Sequence, residues 1–498
     1  MTETLQILGS AAAACLAASA LLGASPRWRL AALSGALLVA VALVVGQAWQ
    51  GPLEELRGSG VKLAAVVATA LGALAALALA FRRWPLALPL AALAALPVRI
   101  PVDLGGESSN LLLPLYAVIG AGILAALLDL HSGAGRPFPV PRPLAMALAA
   151  AIALYGIQAS YSNDVEFAAR NVAFFLVPFA ALFVLLAGTE WTPRLVLAGV
   201  AVLAGEAVAF ALVGIVQHQA GEIFWNDALQ SSNDFHFYFR SNSVFFDPNI
   251  YGRYLSLAIV LMVAVLAWTG DARRAAALAL AIAVTWLGLV FGFSQTGFLA
   301  LLTGLLVLAA LRWSLRWALL AAPVVAAAAV IVVLANASDD GARTVGQNAS
   351  SGRTTLIEGG LELAADRPLH GHGAASFPVA FREQEAIPPG KTTVSHNEPV
   401  TVAAEQGLIG IAAYVALVAT ALWTLFGGLR RVAPGLGGRL DPATDAGVIG
   451  IGRIALAAGF CALLVHTVGY AGYLTDPLIW SLIAIGASLA PRPEPERA

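Results

Sequence analysis

Apolar stretches of about 20 residues recur along almost the whole chain, and this recurrence limits the possible folds more than any other feature. A helix of that length crosses the roughly 30 Å hydrocarbon core of a bilayer. Because lipid offers no partner to an exposed backbone group, only a helical bundle suits the pattern. Of the 498 residues, 59% are hydrophobic and 11% are charged, which excludes a soluble globular domain. The sequence therefore predicts an all-α fold, a polytopic transmembrane helical bundle.

The apolar stretches correspond to about 12 to 15 membrane spans. The predicted spans are 5–24, 30–49, 61–81, 85–102, 111–130, 143–159, 168–187, 195–216, 252–269, 275–293, 297–311, 317–335, 405–427, 448–468 and 474–490. Two of them, 85–102 and 297–311, are short or contain proline, so each could be re-entrant or merged with a neighbour.

Arginines concentrate in alternate loops, which the positive-inside rule assigns to the cytoplasm. They are Arg82 and Arg83, Arg136 and Arg142, Arg194, Arg273 and Arg274, Arg312 and Arg316, and Arg430, Arg431 and Arg439. The two longest loops then face the opposite side. The predicted division is 1–216 for the N-terminal membrane helices, 217–253 for a first extracytoplasmic loop, 254–335 for central helices, 336–404 for a large extracytoplasmic loop with short amphipathic helices, 405–490 for C-terminal helices and 491–498 for a cytoplasmic tail.

The overall charge and the cysteines exclude several classes of function. The formal net charge is −1, so no global positive field indicates a nucleic-acid partner. Cys15 and Cys461 lie far apart inside apolar stretches and indicate neither a disulfide framework nor a thiolate site. The candidate chemistry therefore lies in the two polar loops.

The first loop is rich in aromatic and polar residues. Its aromatic residues Trp225, Phe237 and Tyr238 suit either a sugar-binding surface or an aromatic belt at the membrane interface. Arg240 and Arg253 flank an Asp-Pro-Asn turn at 247–249. Both arginines are candidates to bind a substrate phosphate or an anionic lipid headgroup.

The second loop contains a predicted amphipathic helix and a histidine next to a membrane helix. In that helix, residues Leu356, Ile357, Leu361 and Ala364 form the predicted apolar face, with Arg353 at its start. Arg353 either binds a donor phosphate or pairs with Glu358. His370, His372 and His396 could suggest zinc, but no carboxylate or cysteine completes a ligand set, so no metal is predicted.

Four motifs in this loop occur in a distinctive order. They are Arg353, Arg-Pro-Leu-x-Gly-x-Gly at 367–373, Ser-His-Asn at 395–397 and Glu-x-Gly-Leu-Ile-Gly at 405–410. Together they resemble the O-antigen ligase and O-antigen polymerase superfamily, as do Arg240 and the segment 246–249. The resemblance covers roughly residues 236–427. Where that family often has an arginine-containing Ser-x-Ser-Arg step, this chain has the segment 293–297 with Gln295.

The resemblance implies a glycosyltransferase of the bacterial cytoplasmic (inner) membrane with its active site on the extracytoplasmic side. The donor would be a polyprenyl-pyrophosphate-linked glycan and the acceptor a glycan, lipid or protein hydroxyl, with membrane lipids as further partners and no cofactor. His396 is the candidate base for an inverting-type attack, and arginine suits a pyrophosphate. The candidate substrate-binding residues are Arg240, Arg253, Arg353, Asn397, Glu398 and Glu405.

Several alternatives remain open from the residues themselves. His396 either acts on the acceptor or tethers the loop, Asn397 and Glu398 either hold sugar hydroxyls or orient the imidazole, and Glu405 either binds sugar or favours the N-terminal end of its helix. The alternative function is a transporter or flippase of lipid-linked oligosaccharides, which would predict internal repeats and broken helices at the midplane. The concentration of polar residues in two loops on one side favours the enzyme.

Overall fold

A computed structural model describes residues 1–48, 58–103, 108–131, 138–233, 239–314, 316–318, 320, 353–386 and 395–491. Most of the predicted span at 317–335 lies outside this part, as do Phe237, Tyr238 and the tail beyond residue 491.

Helices dominate the described chain, as predicted. The helices are α1 (Glu3–Leu22), α2 (Pro26–Ala48), α3 (Gly60–Arg83), α4 (Ala87–Ala95), α5 (Leu113–His131), α6 (Arg142–Gln158), α7 (Val165–Asn171), α8 (Val177–Ala187), α9 (Pro193–Ala220), α10 (Asp227–Asn233), α11 (Pro248–Leu266), α12 (Ala272–Gly292), α13 (Gln295–Arg312), α14 (Arg353–Asp366), α15 (Phe377–Gln384), α16 (Glu398–Phe426), α17 (Asp445–Gly469) and α18 (Pro477–Leu489). A π-helical turn, Val172–Leu176, joins α7 to α8. The strands β1 (Ile100–Asp103) and β2 (Ser108–Leu111) form an antiparallel hairpin.

Within the described residues, 12 helices are long and apolar enough to cross a membrane, so the predicted polytopic helical bundle is confirmed. The two uncertain stretches differ from each other. Residues 297–311 lie in the full-length helix α13, whereas 85–102 forms only the short α4 followed by extended chain and β1. Pro97 and Pro101 account for the difference, because proline lacks the N–H that would continue a helix.

Small residues allow the membrane helices to pack closely. A Cβ on Gly122 of α5 would lie 2.8 Å from Leu185 of α8, and one on Gly199 of α9 would lie 2.9 Å from Leu93 of α4. Without a hydrophobic driving force between helices in lipid, such close packing is a main source of their association. Large aromatic side chains fill the centre, where Trp480 packs edge-on against Phe179 and Phe183.

Polar contacts distinguish the two ends of the bundle. At one end Arg82 pairs with Asp129 at 2.9 Å, and Arg312 Nε donates to the carbonyl of Ala267 at 3.3 Å. The helix α11 runs from Pro248 to Leu266, so Arg253 near its start lies at the end opposite to Ala267. The candidate residues of the two polar loops belong to this second end.

Candidate active site

The membrane helix α16 is broken at Gly407, whose φ of 64° and ψ of −161° are not helical. The part after the break, residues 408–426, spans about 28 Å at roughly 1.5 Å per residue, which is close to the thickness of the hydrocarbon core. The part before the break, residues 398–406, adds further helix to the about 28 Å of the part after it. The helix therefore starts seven residues earlier than the predicted span at 405–427.

The segment 368–373 of the second loop fills this break. Four backbone hydrogen bonds join the two: Leu408 N to Pro368 O (2.8 Å), Ile409 N to Leu369 O (3.3 Å), His372 N to Ala404 O (3.0 Å) and Gly373 N to Glu405 O (2.8 Å). From α6, the buried Gln158 donates to the carbonyls of His370 and Gln406 at 3.3 and 3.2 Å. Backbone groups freed by a helix break near lipid need such partners.

The glycines of the two motifs make this contact possible. Gly371 and Gly407 both have positive φ, 67° and 64°, which side chains disfavour. A Cβ on Gly371 would overlap the backbone of Glu405, and one on Gly407 would lie 2.5 Å from the carbonyl carbon of Leu369. The segments 367–373 and 405–410, which are separate motifs in the sequence, are therefore one structural unit.

Glu405 anchors the second loop to α16. Its carboxylate accepts hydrogen bonds from Ala375 N at 2.8 Å and from Phe377 N at 3.1 Å. Phe377 is the first residue of α15, so the carboxylate also lies at the N-terminal end of that helix, where negative charge is favourable. Both carboxylate oxygens are thus occupied by backbone N–H groups.

A cavity of about 430 Å³ lies beside this unit. It is lined by polar side chains and by many aromatic ones, notably Arg99, Tyr155, Phe167, Asn171, Phe175, Phe246, Arg253, Phe377, His396, Glu398, Thr401, Glu405, Gln406, Tyr414 and Tyr470. Its deeper wall includes Ala151 of α6 together with Ala413 and Leu417 of α16. Leu417 lies nine residues beyond Leu408, so the cavity extends about 14 Å below the break.

His396 lines the cavity and is held by the residues on either side of it. Its backbone is left-handed, with φ of 52°. Ser395 Oγ accepts from Asn397 N at 3.1 Å, and Asn397 caps α16 by accepting from Val400 N at 3.0 Å. Asn397 Nδ2 also donates to the carbonyl of Val468 at 2.9 Å. In the Ser-His-Asn motif, the serine and the asparagine therefore position the backbone, and the imidazole contributes to the cavity.

Glu398 also contacts the connection between α17 and α18. Its Oε2 accepts from Gly472 N at 2.6 Å, next to Tyr470. The ring of Tyr470 lies 5.4 Å from the ring of His396, and burial raises the pKa of its hydroxyl. This connection forms another wall of the cavity, and sequence reasoning missed its contribution because it is a short turn between two spans.

Arg253 lines the cavity but has several internal partners. It is only 3% exposed and forms an ion pair with Asp476 through Nη1. Its Nε donates to His466 Nδ1 at 3.1 Å, and its Nη2 donates to the carbonyl of Tyr470 at 2.8 Å. Arg253 therefore joins α11 to α17 and to the start of α18.

Arg99 is a second arginine in the cavity, and sequence reasoning missed it. Its guanidinium carbon lies 5.4 Å from the ring centroid of Phe246. Within the described residues, no hydrogen bond or ion pair occupies its guanidinium. The sequence placed it inside a predicted span, where the available signal was a lone arginine between Pro97 and Pro101.

Arg240 and Arg353 differ in how the structure places them. Arg240 is not a lining residue of the cavity, and its backbone N–H and carbonyl are bound by the side chain of Asn233 at 3.1 Å each. Arg353 is the first residue of α14, and its side chain is outside the described part of the structure. In α14, Gly360 packs against Val400 and Leu363 clusters with Ala404, so α14 runs parallel to α16 and begins at its Glu398 end.

The apolar face of α14 agrees only in part with the predicted one. Leu356 and Leu363 pack with Phe377 and Phe381, whereas Leu361 is 53% exposed. The reason is that Gly359 and Gly360, which have no side chain, form the closest contacts with α15 and α16. A pattern of apolar residues alone cannot indicate a face built on glycine.

The other histidines have separate surroundings. His372 Nε2 lies 3.2 Å from the carbonyl of Leu363, and burial lowers the pKa of this imidazole. The ring of His370 lies 5.6 Å from that of Tyr161.

Comparison with known protein families gives a match to part of the chain. Residues 276–415 match the family described as O-Antigen ligase. The matched region contains α14, the loop segment 367–373, His396 and the break in α16, but it does not include Arg99 or Arg253. No curated protein matches the chain.

Proposed function

Because residues 276–415 match the family described as O-Antigen ligase, we propose that the chain is a ligase or polymerase of this type and transfers a glycan from a polyprenyl diphosphate to an acceptor hydroxyl. The observation that carries this proposal is that one cavity beside the break in α16 is lined by an imidazole, His396, and by two guanidinium groups, Arg99 and Arg253. A base and a cationic site are the two groups that this transfer requires.

The imidazole and the guanidinium groups have different roles in the reaction. The acceptor hydroxyl oxygen attacks the anomeric carbon and forms the new glycosidic bond. The bond from that carbon to the diphosphate breaks, and its electron pair leaves with the diphosphate. His396 takes the hydroxyl proton, and attack opposite the leaving group inverts the anomeric configuration. Positive charge stabilises the departing diphosphate.

The depth of the cavity suits a donor that carries a lipid. Its polar residues lie near the break in α16, and its deeper wall is apolar at Ala151, Ala413 and Leu417. A polyprenyl chain would enter from the bilayer while its diphosphate stays near His396. The acceptor approaches from the extracytoplasmic side of the bacterial inner membrane, opposite the arginine-bearing loops.

Glu398, Asn397 and Glu405 support the site through their contacts with the backbone. Asn397 caps α16, Glu398 binds Gly472, and Glu405 binds the loop at Ala375 and Phe377. Each of these contacts positions a wall of the cavity, so their main role is to hold His396 and Tyr470 in place.

A broken helix also occurs in transporters, but here the backbone groups at the break are occupied by the chain's own loop.

Substitution of His396 by alanine tests the proposal. Transfer from a lipid-diphosphate glycan, measured with the full-length protein in proteoliposomes, should fall by about 10²- to 10⁴-fold because the general base is lost. His131→Ala, at the exposed end of α5, is the matched control and should leave transfer unchanged. Full transfer by the His396→Ala protein would contradict the role of His396. Movement of the intact donor across the bilayer without a new glycosidic bond would contradict transfer itself.

A further inference from the structure

We propose that Arg99 binds the diphosphate of the lipid-linked donor, with its guanidinium as the principal phosphate ligand in the cavity. This inference rests on the proposed function and deepens it by naming the residue that recognises the anionic group. Arg99 belongs to the chain between α4 and β1, far in sequence from the O-antigen ligase match.

The two arginines of the cavity differ in what they can offer an incoming anion. Arg253 uses Nε, Nη1 and Nη2 to bind His466, Asp476 and the carbonyl of Tyr470. Arg99 has no such partner among the described residues. A guanidinium has five N–H groups in a planar fork that matches two phosphate oxygens. Arg99 therefore has its donors available, whereas Arg253 has already used at least three.

The local structure holds Arg99 in position. Pro97 and Pro101 restrict the backbone on both sides, and the strand pairing of Ile100 with Leu111 begins at the next residue. The guanidinium carbon lies 5.4 Å from the centre of the Phe246 ring, which also lines the cavity. A guanidinium that interacts with an aromatic face keeps its N–H edge free for hydrogen bonds.

The other charges of the cavity compensate Arg99 only in part. The charge of Arg253 is paired with Asp476, and these two residues act on Arg99 with opposite signs. Glu398 accepts from Gly472 N, and Glu405 accepts from two backbone N–H groups. A cation removed from water without a partner is costly, so a diphosphate that enters the cavity gains a strong interaction at this position.

Lipid binding by the full-length protein in detergent micelles provides the test. The probes are undecaprenyl diphosphate and undecaprenol, which share the polyprenyl chain and differ in the anionic group. Arg99→Ala should weaken the binding of undecaprenyl diphosphate by about 10- to 100-fold and leave the binding of undecaprenol within about twofold. Arg99→Lys keeps the charge but loses the planar fork, so its affinity should be intermediate. Arg82→Ala, at the other end of the bundle, is the matched control and should bind both lipids normally.

Two results would overturn the role of Arg99. One is unchanged binding of undecaprenyl diphosphate by Arg99→Ala, and the other is an equal loss of both lipids, which would indicate a structural role for the hairpin. If Arg99→Ala is not recovered as folded protein, Arg99→Gln is judged by the same criteria.

A variant of His396 separates this inference from the proposed function. His396→Ala should bind undecaprenyl diphosphate normally and fail in transfer. If wild-type protein does not bind undecaprenyl diphosphate at all, the proposed donor class and the role of Arg99 both fail. If wild-type protein and Arg99→Ala bind it equally, only the role of Arg99 fails.

Discussion

The first loop, which lies between α9 and α11, and the second loop, which leads into α16, are both polar and both carry arginine, yet they relate to the membrane helices in different ways. Polar contacts of the first loop mainly join it to itself and to the end of α9. Asn233 binds Arg240, Gln230 Oε1 accepts from Ile223 N, and Gln217 binds the backbone of Ser243. The second loop instead completes a break in a membrane helix.

This difference shows how a loop becomes part of a site that is built on a membrane helix. A broken helix has backbone donors and acceptors that need partners, and the segment 368–373 supplies them. The same contacts place the loop against Glu405, which lines the cavity together with His396. From the first loop, the cavity receives Phe246, which precedes α11, but not Arg240. Composition made the two loops look equivalent, whereas hydrogen bonding to α16 distinguishes them.

The largest expected effect comes from a pair of glycine substitutions that test this comparison of the two loops. Gly371 in the second loop and Gly221 in the first have the same φ of 67°, but only Gly371 contacts other backbone atoms. Gly371→Ala should lower the free energy of unfolding by at least about 3 kcal/mol and abolish transfer, because it adds backbone strain and separates the loop from α16. Thermal unfolding in detergent and the transfer assay measure the two effects.

Gly221→Ala is the matched control, since it imposes the same strain in open space. It should cost about 1 kcal/mol and preserve transfer. Equal effects of the two substitutions would mean that the contact between the loop and α16 contributes little.

Substitution of the loop anchors should give an intermediate effect. Glu405→Gln replaces one acceptor oxygen by an amide NH₂, so either Ala375 N or Phe377 N loses its partner. The free energy of unfolding should fall by about 1–3 kcal/mol, and transfer should decrease with it. Gln230→Ala removes the corresponding anchor of the first loop, and we expect it to leave transfer unchanged. A larger loss of transfer in Gln230→Ala than in Glu405→Gln would reverse the comparison.

Arg240 should give the smallest effect. Because Arg240 is outside the cavity lining, Arg240→Ala should change the affinity for undecaprenyl diphosphate by less than about threefold, well below the effect of Arg99→Ala. The same lipid-binding measurement compares both variants. A tenfold loss in Arg240→Ala would indicate that the first loop reaches the donor.

Part of the candidate site could be predicted from the sequence and part could not. His396, Glu398, Glu405 and Arg253 were expected in a substrate site, and all four line one cavity. Their expected roles as substrate ligands remain predictions. The sequence could not indicate that Glu405 binds the backbone N–H groups of Ala375 and Phe377, because those partners are defined by the chain's path in space.

Arg99 and the turn around Tyr470 were missed for a related reason. Each lies at the end of an apolar stretch, where a single polar residue carries no periodic signal. Only the packing of α4, α11 and α17 brings these residues to the same cavity as His396. A residue brought to a site by packing alone has no signature within its own segment.

The amino-acid sequence by itself determined that this protein is a helical membrane bundle, because apolar stretches of membrane length leave the backbone no other way to satisfy its hydrogen bonds in lipid. It also determined the order of motifs that resemble the ligase and polymerase superfamily, since those motifs are local. Only the tertiary structure decided that Arg253 is bound internally while Arg99 is available to a ligand. Whether a guanidinium is available depends on which groups surround it, and those groups come from segments more than 200 residues away.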